Sequence, residues 1–194
     1  MATLKNLDVP FSDSVLENKA SQLIRRYALQ RRWVPALPIP IESIMEHTLN
    51  LLIEYSAIEE PESVKIWGCI SPSTKIITLN EHHLDDFQRN PGLERYTLAH
   101  EIGHWTMHVD AVDQQSLFGP PQETIVCRDG DQRVCEQVAN RFAAFLLMPR
   151  DLLLKDLPSF AVAAKLGFRD LASKAGVSNT ALGYRLDSLS IPHA

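Results

Sequence analysis

His100-Glu101-Ile102-Gly103-His104 decides how this chain is read. The segment lies within residues 91–108, where Leu93, Leu98, Ile102 and Trp105 recur at a helical period and Pro91 suits the first turn. On a helix, side chains four apart share one face, about 6 Å from each other. Two imidazoles so placed can converge on one metal ion, and the glutamate between them can reach a water on that ion. Zinc brings the pKa of such a water to about 7 and polarises a carbonyl. A carboxylate beside it can take the proton and pass it to a leaving amine.

Such a site needs a third protein ligand. His108 falls at i+8, but on a straight helix it lies about 12 Å along the axis from His100, too far for bonds of about 2 Å. The next strong helix, 131–148, offers Glu136 instead. Its apolar set is Val134, Val138, Phe142, Phe145 and Leu146, with Asp131 as a cap and Pro149 as its end. Asn140, one turn after Glu136, can hydrogen-bond a ligand from behind. The expected metal ligands are therefore His100, His104 and Glu136, with Glu101 as the catalytic general base. Two His and one Glu suit Zn2+ better than Mn2+.

Upstream, Leu51 to Tyr55, Val64 to Ile70 and Lys75 to Leu79 read as short strands, the last two joined by Ser71-Pro72-Ser73-Thr74. A strand over Lys75 to Asn80 is expected at the sheet edge, where it could pair with an extended peptide. Ser14 to Gln30 reads as an amphipathic helix with a Ser14/Glu17 capping box, followed by four arginines at 25, 26, 31 and 32 that a solvated face explains. Pro35-Ala36-Leu37-Pro38-Ile39-Pro40 is an extended connector, and a short helix is expected over Ile41 to Thr48. His82 and His83 are expected as solvated loop residues. Residues 109–130, with Gly119-Pro120-Pro121, form a long loop. Leu171 to Leu186 resembles a helix-turn-helix, in which Lys174 and Arg185 are opposed by Asp170 and Asp187. A packing hairpin is the expectation there, not direct nucleic-acid binding. Tyr96, His108 and the 109–130 loop are the candidate oxyanion donors.

Bulk properties exclude other classes. The 194 residues are 45% hydrophobic and 22% charged, with a formal net charge of -5 and no long run of one sign. Nothing global advertises a nucleic-acid or membrane surface. Three cysteines, Cys69, Cys127 and Cys135, do not suggest a disulfide framework, and a Cys127–Cys135 disulfide stays open as the minor alternative. With no signal-peptide pattern and no membrane span, the expectation is a cytoplasmic protein with reduced thiols.

Arg95-Tyr96-Thr97-Leu98-Ala99-His100-Glu101-Ile102-Gly103-His104, followed by Glu136 to Asn140 and on to Pro149, resembles the ImmA/IrrE family of metallopeptidases. Pro38 to Ile41 and Ile76 to Asn80 are similar to that family's upstream segments. The resemblance implies zinc on His100, His104 and Glu136, Glu101 as base, and a bacterial or mobile-element setting tied to transcription regulation and stress response. It implies a protein substrate, usually a DNA-binding transcriptional repressor. The expected fold is α+β, a minimal zincin-like domain. A small, mainly antiparallel sheet packs on an active-site helix and a third-ligand helix, and a C-terminal helical hairpin follows. The expected organisation is an N-terminal helix (1–34), the core (35–156) and the C-terminal helical segment (157–194). Other readings stay open: a metal-containing sensor or anti-repressor that binds without cutting, a helix-turn-helix DNA-binding regulator, and a zinc hydrolase of a small amide.

Overall fold

The computed structural model describes residues 11–62, 64–109, 132–160, 162 and 164–193. The apolar periodicities fold as helices. α1 (Asp13–Arg31) buries Leu16, Ala20, Leu23, Ile24 and Tyr27 on one face. α2 (Ile41–Ile44) runs into a π turn over Met45–Leu49. Three strands follow: β1 (Leu52–Ser56), β2 (Gly68–Ser71) and β3 (Ile76–Asn80). Then come α3 (Leu84–Arg89), α4 (Pro91–His104) and α5 (Gln132–Leu147). α6 (Arg150–Asp156), α7 (Lys165–Ala175) and α8 (Asn179–Ser188) complete the order. Among the described residues, no helix is long and apolar enough to cross a membrane.

The mixed α+β architecture is as expected, and the sheet corrects the expectation in two details. Its order is β1-β3-β2, with β2–β3 antiparallel and β1–β3 parallel, so it is mixed. Ile76–Asn80 is therefore the central strand, not an edge. Both of its hydrogen-bonding sides are taken, one by β1 and one by β2, and Ile77, Leu79 and Asn80 are all fully enclosed. Asn80 also ties down the connection between β1 and β2. Its carboxamide accepts from the amides of Ile58 and His82 and donates to the carbonyls of Ile58 and Ile66. These four bonds satisfy every polar position of a buried side chain, which would otherwise cost about 1–3 kcal/mol per group.

Three further expectations change. The capping box at Ser14 is replaced by a start at Ser12, and Glu17 turns to Arg185. His83 is buried, not solvated: its Nε2 lies 2.7 Å from Glu60 Oε1, and its ring stacks on Trp67 at 4.5 Å. Cys135 is disulfide-bonded, against the expectation of reduced thiols. Its partner lies outside the described residues, as do 110–130 of the expected long loop.

α4 and α5 share the largest helix–helix contact of the fold, and α1 lies across α5. Leu98 and Ile102 of α4 meet Val138, Phe142 and Leu146 of α5 in one core, each large side chain stabilising by roughly 1.5–3 kcal/mol. Two guanidinium groups clasp the chain around this pair. Arg95 donates from Nε to Gly176 O (3.2 Å) and from Nη2 to Ile39 O (2.6 Å), and pairs with Glu42. Arg185, 3% exposed, donates to Met148 O at 3.0 Å, pairs with Glu17 and covers the Phe145 ring. Gly176 takes a positive φ at the α7–α8 turn, so the turn needs glycine and Arg95 stacks where a Cβ would be. At the start of α8, Ser178 caps the helix by accepting from Ala181 N through its side chain.

Candidate active site

The site grows from one crossing of two helices. His100 and His104 are one turn apart on α4 and project from the same face. Between them, Gly103 lies against the backbone of α5: a Cβ there would be 3.0 Å from both Ala139 Cα and Ala139 O. Only glycine permits this approach, and the approach brings Glu136 within reach of α4. The role of Gly103 escaped the sequence reading. The available signal was a pair of small residues, Gly103 and Ala139, on helices that had to meet.

The donor atoms converge. His100 Nε2 is 3.0 Å from His104 Nε2 and 3.2 Å from Glu136 Oε2, and His104 Nε2 is 3.4 Å from Glu136 Oε1. Bonds of about 2.0–2.1 Å in a tetrahedral shell put neighbouring ligand atoms about 3.3 Å apart; the two imidazoles stand at about that spacing, and Glu136 reaches each of them through a different carboxylate oxygen. Among the described residues these three form the group suited to hold a metal ion. His100 Nδ1 is 3.0 Å from Asn140 Oδ1, which can only accept, so Nδ1 donates there and Nε2 is the nitrogen turned toward His104 and Glu136, where a cation would bind. Asn140 in turn accepts from the Tyr96 hydroxyl at both O (3.2 Å) and Oδ1 (3.4 Å). Tyr96 thus stands behind His100, engaged with its orienting group. The side chain of His108 lies outside the described residues, as does the rest of the expected oxyanion set.

Electrostatics follow from the geometry. Hydrogen bonds from His100, then His104, hold the Glu136 carboxyl far below the usual carboxylate range. Burial works to lower the His100 pKa, but the Glu136 and Glu101 carboxylates outweigh it and the net shift is upward. Glu101 is 6% exposed. Burial raises its pKa, against the opposing pull of His100 and His104, which makes it a stronger base than an exposed glutamate. Burial also raises the Tyr96 hydroxyl.

Two surfaces flank the group. On one side β2 is an edge strand. Asn80 N–H donates to Trp67 O at 2.9 Å, and antiparallel alternation then turns the backbone groups of Gly68 and Ile70 away from β3, toward the open edge. Between them, the Cys69 thiol is raised by burial and then by the field of Glu101. On the other side, a cleft of about 580 Å³ is lined by Phe11, Ser12, Asp13, Gln137, Asn140 and Arg141. The two C-terminal cations that the hairpin offered for nucleic acid, Lys174 and Arg185, are both engaged within the protein. Lys174 pairs with Asp156 at 2.9 Å, and Arg185 is buried.

Comparison with known proteins follows the same line. No curated protein matches this chain. Among solved structures, a Mycobacterium tuberculosis transcriptional regulator superposes with a TM-score of 0.56 at 14% identity, over 93% of this chain and 49% of that one. The likeness is one of fold, and this chain spans about half the length of that regulator. The peptidase M78 family, described as the IrrE N-terminal-like domain, matches residues 60–187, a stretch that holds both central motifs. The chain therefore belongs to the peptidase M78 family of IrrE N-terminal-like domains.

Proposed function

We propose that this protein is a zinc-dependent peptidase that hydrolyses a peptide bond in an extended segment of a protein substrate. The observation that carries this is the mutual approach of His100, His104 and Glu136 to within 3.0–3.4 Å, with Glu101 buried beside them. His100, His104 and Glu136 would hold the metal, which when bound supplies Lewis acidity toward a carbonyl and a water acidic enough to lose its proton near neutral pH. Glu101 takes that proton and delivers it to the leaving amine; its burial suits it to both halves of the task. Asn140 holds His100 through Nδ1, with Nε2 turned toward His104 and Glu136. The outward backbone groups of Gly68 and Ile70 can pair with a substrate strand and align its carbonyl. The substrate class we favour is a DNA-binding transcriptional repressor, the usual target in the family this chain resembles.

A second reading, a regulator that binds its partner without cutting it, draws on the fold shared with a transcriptional regulator. One variant separates the two. Glu101→Gln should retain metal to within a few-fold while losing cleavage of a repressor substrate by at least about 10²-fold. Full function of Glu101→Gln in cells would refute the peptidase reading and leave the binding one.

A further inference from the structure

We infer that the outward face of α1 is a docking surface for an acidic, aliphatic-bearing segment of a partner protein. Lys19, Arg25, Arg26 and Arg32 are all exposed along this helix. Among the described residues none of the four has an ion-pair or hydrogen-bond partner. The helix's own two acids are both engaged elsewhere, Asp13 by Arg141 and Glu17 by Arg185. The face therefore presents cations with no acid among them, on a protein whose formal net charge is -5, so the remaining surface is more acidic still.

Helix-dipole stabilisation accounts for arginines at a C-terminus, but it does not account for what lies between them. Leu29 is 82% exposed and Val34 78% exposed, the two most exposed large hydrophobic side chains among the described residues. Leu29 shares its face with Arg25 at helical spacing, and Arg32 follows at the helix end. Exposed aliphatic side chains beside cations suit a segment that alternates carboxylates with leucine-like side chains, which satisfies both kinds of group.

Size and charge together argue against nucleic acid as the occupant. A helix of 19 residues extends about 28 Å. A duplex continues past such a patch and meets the surrounding net negative charge, and its phosphates offer nothing to Leu29 and Val34. A short protein segment ends where the patch ends. The surface owes nothing to the metal chemistry, so it stands whether or not the chain cuts its partner.

The test uses the full chain and a short fluorescein-labelled peptide of glutamates interrupted by leucines, read by anisotropy at low and physiological salt. Binding should weaken about tenfold in Arg25→Gln/Arg26→Gln, roughly threefold per exposed charge pair lost, and several-fold again in Leu29→Ser. Thermal melts of each variant, expected within a few degrees of wild type, keep folding out of the comparison. No binding of the peptide, or binding indifferent to these substitutions, would overturn the proposal. So would tighter capture of a short duplex DNA lost in the same variants. A mass in light scattering that doubles in wild type alone would instead assign the face to a second copy of this chain, and would overturn it equally.

Discussion

Replacing Gly103 with alanine should separate helix packing from metal binding. A Cβ at this position stands 3.0 Å from Ala139 Cα and O and 3.4 Å from its carbonyl carbon, all backbone atoms that cannot rotate away. Carbon contacts settle near 3.5–4.0 Å, so α4 and α5 must part by a few tenths of an ångström. Overpacking of this kind costs about 1–3 kcal/mol. Alanine returns about 1 kcal/mol through helix propensity. The net loss is about 0–2 kcal/mol, a fall in Tm of no more than about 8 °C for a chain of this size. The metal site is far less tolerant, since ligand distances hold to about 0.2 Å. The same separation carries Glu136 away from His100 and His104, so zinc affinity should drop at least about tenfold. Competition against a chromophoric chelator measures this, with thermal melts in parallel. Gly183→Ala is the control: its Cβ would meet only side-chain atoms at 3.6 and 3.9 Å, and it should keep wild-type zinc affinity and gain about 0.5–1 kcal/mol. Wild-type zinc affinity in Gly103→Ala would refute the claim that this glycine sets the α4–α5 approach.

Three further outcomes are expected. Asn140→Ala should weaken zinc binding by about 10–100-fold and Tyr96→Phe by only a few-fold, because the hydroxyl acts on His100 through Asn140; chelator competition on both, at unchanged Tm, checks the order. Arg185→Ala should destabilise by about 3–5 kcal/mol, since it strands the Glu17 carboxylate and the Met148 carbonyl around a buried gap; chemical denaturation measures it. Glu60 is held below its ordinary pKa by the hydrogen bond from His83, then by that from the Ile66 amide. A depressed folded pKa means stability that is present above the unfolded value, near 4.5, and lost as pH falls through the folded one. The acid limb of unfolding midpoint against pH should flatten in His83→Gln, and an unchanged limb would remove this pair from the acid response.

The helices and the donor set were legible because their signals are local. Imidazoles one turn apart fix a face, and Glu136 with Asn140 fixes another, so only their meeting remained to be observed. Sheet order was not legible, because strand propensity does not say which neighbour a strand takes. Ile77 and Leu79 read equally well as the inner row of an edge strand or as the middle of the sheet, and the pairing of β3 with both β1 and β2 decided it. His83 read as a loop residue because Glu60 and Trp67, which enclose it, are distant in sequence. Arg185 read as a surface cation for the same reason: its partners, Glu17 and Met148, come from elements far upstream. Gly103 was visible only as a permissive letter in the motif, since the clash it avoids belongs to another helix.

Arg185 and Glu17 are 168 positions apart, and Arg95 waits for the carbonyl of Gly176, 81 positions downstream. During synthesis, a nascent chain that has emerged as far as α5 already holds His100, His104 and Glu136. It still lacks both clasps that press α4 and α5 into register with the helices around them. Their closure is left to α7 and α8, so the order of translation itself delays competence until both of these helices have been made.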